Sequence, residues 1–558
     1  MGRERVDVVV IGSGAGGAPA ALSLARAGAR VVVLEKGPFY GIGDFDHDEI
    51  RVCRRDFWVP WAEDEPHTVR SAAAQLARPS REGWTSACVG GATVHMSGFF
   101  YRLHDCDFSL RRVLGEVPGA TLADWPITLD ELLPYYDVME SELGVSGDGA
   151  SNPLERRSRP YPLPPLAAHP ASRLVDEAAA RRGWHAFATP RAVLSAAYGA
   201  RPPCNLCAFC GDYGCENASK SSTLASLLPA ALATERCVIR SGCMALRLEA
   251  DAQDRVRAVE YEDAAGVRRV IEARVVVLAA SAVESARLLL LSQSGRHPQG
   301  LGNANGLVGK HLSFSTFGKV SAVFERSALS AALGVSRGEL GHRGFLQRSI
   351  QDDYWSPSLG ALGKGGTYNF MVAHPNVINA ATKVASTTGA GMWGAPLLGQ
   401  IRAYHEAQTW LEAEIFSEYF PHDGCYVDLD PRVRDRFGLA VARITASVHP
   451  LSASVNATMV QRLRDFFGSF EPAPISLWTM AQSGTTMHLQ HGTCRFGTNA
   501  EDTVLDPSCR MHGIEGLYVL DGSFMPSSGG VPATATIIAN SFRVSELLAA
   551  RMRRGELN

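Results

Sequence analysis

The chain opens on a β-branched run, "VDVVVIG", whose lead-in Asp7 interrupts. A glycine turn at Gly12, Gly14 and Gly17 follows, then an Ala-rich stretch, then a second apolar run, "RVVVLE", that ends on Glu35. The pattern predicts strand, tight turn, helix and strand, because uninterrupted Val and Ile suit a parallel strand covered on both faces. The first run is too short for a membrane span and lacks the flanks of a signal peptide. Much later, "TTMHLQHGTCRFG" predicts an extended segment in which His491 projects on the same face as Leu489 and His488 on the other. Ala380 to Ile401 is rich in small residues around Met392 and Trp393, and its first half is too polar to span a membrane. It reads as a helix-loop element, with a lid or partner surface as the alternative.

At 558 residues the chain exceeds one core, and two or three units, or two intertwined ones, are expected. A hydrophobic content of 46%, a charged content of 20% and 54 Gly describe a well-buried globular enzyme. The net charge of -3, with no basic run interleaved with aromatics, excludes nucleic acid as a partner. With no export signal the expected compartment is the cytoplasm, with export alongside a signal-bearing partner as the alternative. There, clustered cysteines are more often ligands or free thiols than disulfides.

The glycine turn carries the first chemistry. Gly12, Gly14 and Gly17 allow a tight turn, close approach of backbone N–H groups to a pyrophosphate, and close helix packing. Glu35 closes the second strand eighteen residues beyond Gly17, where a carboxylate accepts from ribose hydroxyls. Only one such unit is evident, and it begins almost at residue one. That suits FAD rather than a separate nicotinamide site, so the electrons arrive from the substrate.

Ordered motifs then run nearly end to end: "VGGATVHMSGFFYRLHDCDF" from Val89, "DWPITLDELLPYYDVMESELGVSG" from Asp124, "VVVLAASAVESARLLLLS" from Val275, "HGTCRFG" from His491 and "LYVLDGSFMPSSGGVPATATIIANSFR" from Leu517. The chain resembles the glucose–methanol–choline (GMC) oxidoreductases, FAD enzymes that typically oxidise alcohols and sugars. The resemblance implies an α/β fold: a Rossmann-like FAD-binding domain from residues 1–312 and 491–558, and an inserted α+β substrate domain on an antiparallel sheet over 313–490. It implies that Gly90 and Gly91 approach the isoalloxazine ring, and that Asp521 and Gly522, with Ser523, return to the pyrophosphate and ribityl chain. His95 occupies the position that in some members is bonded covalently to the flavin, and otherwise packs against the ring.

In the family a catalytic His stands three residues before the Gly-Thr of the HxxGTCRMG-like segment and takes the hydroxyl proton as hydride leaves for flavin N5. Here that count lands on Leu489. His491 is the expected base, with His488 as the alternative should an insertion shift the register. The second polar partner is missing as well, since Val531 stands where His or Asn precedes the Pro. His449 reads as structural, and Thr493 and Arg495 as turn-shaping.

Cys204, Cys207, Cys210 and Cys215 lie within twelve residues, in "CNLCAFCGDYGC". The spacing is one residue off a bacterial ferredoxin run. Three readings stand: an iron–sulfur cluster that passes electrons to a protein or quinone, a structural zinc site, or a crowded loop without metal. The other cysteines read as core. The leading expectation is therefore oxidation of a hydroxyl carbon of a small-molecule substrate. The alternatives are a flavin-bearing lyase or isomerase, which the missing partner at Val531 keeps open, and an electron-transfer subunit, in which the cysteine cluster would be the working part.

Overall fold

The computed structural model describes residues 4–51, 65–83, 85–360, 363–387, 392–480 and 485–557. The Val-rich run forms the strand Glu4–Ile11, with Val31–Leu34 parallel on one side (Val8 opposite Val31) and Arg268–Leu278 parallel on the other (Val8 opposite Val275). The sheet extends through Cys237–Arg240 and Leu517–Val519, both parallel, and through the antiparallel strands Val256–Glu262 and Met244–Ala250. Val8, Val9, Val10 and Val33 are fully buried, as strands covered on both faces require. The helix Gly17–Arg26 packs on this sheet and against the C-terminal helix Thr534–Arg553. Its start depends on Gly17, where a Cβ would stand 1.9 Å from the Gly12 carbonyl oxygen.

A second sheet is antiparallel. The sixteen-residue strand Lys310–Glu325 lies between Gln408–Ser417 on one edge and, on the other, Ser476–Met480 and Thr485–Thr493; Gly366–Val372, Arg348–Ile350 and Ala186–Phe187 continue it outward. Its two faces differ. Val320, Ala322, Phe324, Leu411, Ala413, Ile415, Tyr368 and Phe370 form one apolar face, covered by the helices Ser172–Arg182 and Pro450–Gly468. The alternate positions, among them Phe317, Lys319, Glu412, Glu414 and Phe416, face the other way, toward the dinucleotide unit.

A small third sheet joins Tyr426–Arg434 and Ala440–Thr445 to Thr68–Arg70 and Arg78–Pro79. Although residues 426–445 fall inside the 313–490 stretch, Val427, Ala442 and Ile444 pack into the core of the dinucleotide unit. The chain thus crosses between the units more often than one insertion requires. The small-residue segment supplies the helices Val377–Thr387 and Gly394–Arg402, with 388–391 outside the described residues. Among the described residues no helix is long and apolar enough to cross a membrane.

Candidate active site

A cavity of about 720 Å³ runs between the first sheet and the polar face of the second. Its wall takes in the glycine turn with Glu35, then His95, Leu489, His491, Pro532 and Thr534, and, from the second sheet, Phe317, Lys319, Glu414 and Phe416.

The dinucleotide end is held by a chain of polar contacts. The Ser13 hydroxyl donates to Glu35 Oε2 at 2.6 Å, and the backbone N–H groups of Ser13 and Gly37 donate to the two carboxylate oxygens at 3.1 and 3.0 Å. Burial raises the pKa of Glu35, against the lowering effect of these bonds. Ser13 Oγ also accepts from the Gly90 N–H at 2.9 Å, which fastens the segment after Val89 to the glycine turn. Gly90 is left-handed at φ 97°, and a Cβ there would stand 2.7 Å from Val94, which explains glycine at that point. Gly91 brings its own backbone to Gly14, where a Cβ would have only Gly90 and Gly91 backbone near it, at 3.8 to 3.9 Å. Asp521 is buried, accepts from the Ser523 N–H at 2.9 Å and from the Ser285 hydroxyl, and Gly522 beside it lines the cavity. The residues expected for FAD therefore line, or stand directly beside, one elongated cavity. A glycine cradle without side chains, a helix N-terminus and buried carboxylates fit a dinucleotide.

His95 ends the short helical turn Gly91–Val94, lines the cavity, and holds the Ser86 hydroxyl at Nε2. His491 lies on Thr485–Thr493 opposite Ser313. It is 2% exposed, its Nδ1 has no hydrogen-bond partner among the described residues, and burial lowers its pKa to about 4. Leu489 and His491 both line the cavity, as the two-residue strand period requires. The backbone of His488 belongs to the same strand, but its side chain lies outside the described residues. Val531 is fully buried and does not line the cavity; Pro532, Ala533 and Thr534 do. His449 caps the helix Pro450–Gly468 through Nδ1, a structural role.

Cys204, Cys207, Cys210 and Cys215 are separate free thiols, and among the described residues no three His, Cys, Asp or Glu side chains gather as metal ligands. The chain turns through left-handed Leu206, Ala208 and Asp212 between them, and Cys204 and Cys210 pack against Leu166, Val193 and Phe345. Burial pushes the thiols of Cys204 and Cys207 up to about 12 and 11. Lys220 locks this loop in place, donating to the carbonyls of Met96, Cys210 and Tyr213 at 3.0, 2.6 and 2.6 Å.

Sequence reasoning missed the far wall. Lys319, Glu412 and Glu414 alternate with apolar residues in "FGKVSAVF" and "TWLEAEIF", so a polar face was signalled by the two-residue period without any motif.

The GMC oxidoreductase family matches residues 122–316 in its N-terminal part and 421–541 in its C-terminal part, and an FAD binding domain matches 7–43. Paromamine 6'-oxidase of Streptomyces fradiae is 30% identical over 97% of this chain and 91% of its own. The chain belongs to the GMC oxidoreductase family. A second relative, 6'''-hydroxyparomomycin C oxidase of Streptomyces lividus, is 29% identical over 98% of this chain and 92% of its own. A formate oxidase variant of Aspergillus oryzae RIB40 shares the fold, with a TM-score of 0.61, 16% identity and 100% of both chains covered. This GMC oxidoreductase is an FAD-dependent enzyme that oxidises a hydroxyl carbon, which sets it apart from the lyase and electron-transfer alternatives.

Proposed function

We propose that His491 is the base that takes the proton of the substrate hydroxyl. The observation that carries this reading is a buried imidazole on the cavity wall whose pKa, about 4, keeps it neutral at neutral pH. A neutral ring is the form that accepts a proton. Nδ1 is sealed in without a partner, so the proton is taken at Nε2. Leu489 and Pro532 line the same cavity and give it apolar wall. Bound FAD supplies the two-electron acceptor for the hydride. His95, held by Ser86, packs against the ring rather than being spent on proton transfer.

The domain division 1–312 with 491–558, and 313–490, is kept as part of this proposal, amended by the packing of 426–445 into the first unit. For the acceptor of the second half-reaction we favour dioxygen over a protein or quinone, because both relatives named above are called oxidases.

The test is anaerobic mixing of the holoenzyme with paromamine, followed by air. A wild-type flavin that bleaches, and a His491→Ala variant that keeps its FAD but bleaches about 10²–10⁴-fold more slowly, are expected. Bleaching within tenfold of wild type in that variant would sink the assignment of His491. Return of the oxidised spectrum with stoichiometric peroxide supports the acceptor; recovery only with a quinone or cytochrome rejects it.

A further inference from the structure

Beside the large cavity lies a small chamber, with about 20 Å³ of space for the centre of a water-sized molecule. Ser97, Phe99, Gly211 and His374 line both, so the two adjoin. The chamber sits against the turn that carries His95: the N–H of Asp212, next to Gly211, donates to the His95 carbonyl at 3.0 Å, and Ser97 follows His95 by two residues. Phe345, Leu346, Met371 and Val372 make much of its remaining wall hydrocarbon. Space for one small guest between such walls favours an apolar molecule over a water, which wants about three hydrogen bonds.

The guanidinium of Arg191 lies in this wall, and the residue is 3% exposed. Its central carbon is 4.6 Å from the Phe99 ring centre and 3.9 Å from that of Phe345, and Nη2 donates to the Ser97 carbonyl. Among the described residues Nε has no hydrogen-bond partner, and no carboxylate pairs with this arginine. Arg102 and Arg287, also buried, are paired, the first with Asp137 and Glu140 and the second with Glu284 and Asp435. The ionisable groups that act most strongly on Arg191 are Cys210, Tyr101 and Cys204. Burial raises the pKa of all three, which leaves them neutral at pH 7. A guanidinium stays protonated in such a place, so a whole positive charge stands uncancelled in low dielectric at the edge of the large cavity.

We propose that this chamber holds dioxygen beside the reduced flavin, and that Arg191 stabilises the superoxide formed when the first electron arrives. The proposal rests on the reading of dioxygen as the electron acceptor. Dioxygen takes two electrons and one proton from the reduced cofactor and a second proton from solvent, and leaves as hydrogen peroxide. Uncharged dioxygen suits the hydrocarbon walls. Superoxide is an anion, so the fixed cation contributes where charge develops and not before. Arg191 does not line the large cavity, so reduction of the flavin by substrate does not depend on it.

Two measurements test this. Crystals of the FAD-loaded enzyme pressurised with xenon are expected to show xenon in the chamber, because small apolar cavities take up that gas. In stopped flow, flavin reduced photochemically, without substrate, is mixed with dissolved dioxygen. Arg191→Met is expected to re-oxidise about tenfold or more slowly than wild type, and Arg191→Lys, which keeps the charge, within about threefold of it. Val372→Leu, which fills the chamber, is expected to exclude xenon and to re-oxidise about threefold or more slowly. Flavin bleaching by paromamine under nitrogen is expected to stay within about twofold of wild type in all three variants. A chamber that holds ordered water and no xenon, an Arg191→Met protein re-oxidised within about threefold of wild type, or an equal slowing of both half-reactions would each overturn the proposal. Should Arg191→Met purify without FAD, the xenon map and Val372→Leu decide: wild-type re-oxidation in a filled chamber refutes it. Reduced wild-type flavin that persists in air would instead refute dioxygen as the acceptor, and the role of the chamber falls with it.

Discussion

Lowering the pH from 7 to 5 separates two consequences of burying His491. Burial lowers its pKa from about 6.5 to about 4. At pH 5 the folded enzyme then has about one-tenth of this imidazole protonated, where an ordinary histidine would be about 97% protonated. A rate that needs the neutral ring is expected to keep about nine-tenths of its value at pH 5 and to halve only near pH 4. Stability moves the other way. Because the folded pKa lies below the unfolded one, the unfolded chain takes up the proton first as pH falls below 6.5. Stability is therefore lost between pH 6.5 and 4, by about 1.4 kcal/mol per pH unit and about 3 kcal/mol in all from this ring. His169, at about 4, and His311 and His342, at about 3, are lowered by burial in the same direction and steepen the loss. The assay is a stopped-flow pH jump of the holoenzyme into anaerobic substrate, read as flavin bleaching within seconds, beside melting curves at the same pH values. Repeating the jump on Asp212→Asn and Glu414→Gln separates any titration of the far wall. A rate that falls through a midpoint near 6.5 in all three proteins would refute the assignment of a buried neutral base. So would a melting temperature that is flat from pH 7 to 5.

Three further outcomes follow from packing. Gly17→Ala places a methyl 1.9 Å from the Gly12 carbonyl oxygen, so the protein is expected to purify without FAD or not to fold; full flavin absorbance at 450 nm in that variant would show that the turn relaxes. Lys364 is fully buried, 2.8 Å from Asp107 and 3.9 Å from Glu418, and Lys364→Met is expected to cost about 3–5 kcal/mol in urea unfolding by leaving two buried carboxylates without a cation. A loss under about 1 kcal/mol would mean that the carboxylates simply take up protons, as Glu418, already pushed up to about 7 mainly by burial, is poised to do. Arg102 donates to Glu140 at 2.8 and 2.9 Å and to Asp137 at 2.7 Å in a buried fork; because Arg157 also donates to Glu140, Arg102→Met is expected to destabilise by less, about 1.5–3 kcal/mol, checked by the same urea unfolding.

The half of the site that binds dinucleotide was legible because its chemistry is done by backbone. A turn that must admit a pyrophosphate forces glycine at Gly12 and Gly17, and a β-branched run before it marks the strand, so residue type and position carry the geometry. The facing of the strand Thr485–Thr493 was legible for the same kind of reason: a period of two places Leu489 and His491 on one wall. The far wall was not. Its strands are separated by up to about a hundred residues, and only the pairing of Lys319 with Glu414 and of Phe317 with Phe416 turns four unremarkable residues into one surface. The cysteine spacing was legible as a cluster but not as a role: left-handed residues between the thiols turn Cys204 and Cys210 into an apolar patch, while Cys207, Cys210 and Cys215 stay near enough to Cys204 to add to the rise in its pKa.

The loss of a polar side chain at position 531 is explained by what surrounds the loop. The Gly530 N–H donates to Tyr354 Oη at 3.1 Å, Tyr354 donates to Asp107 at 2.5 Å, and Thr367 donates to the Gly530 carbonyl at 2.9 Å. One carboxylate oxygen of Glu418 accepts from the N–H groups of Ser528 and Gly529 and from the Ser528 hydroxyl. Every element of this clamp belongs to a buried polar network around Lys364, and it presses Val531 into the core while Pro532 faces the cavity. A hydrogen-bonding side chain at 531 would have to leave that core to reach a substrate. On that arrangement, restoring Asn at position 531 is expected to destabilise the fold without raising the rate of flavin bleaching. A Val531→Asn variant with wild-type stability and faster bleaching would show that the loop can turn a polar side chain from the core to the reacting end.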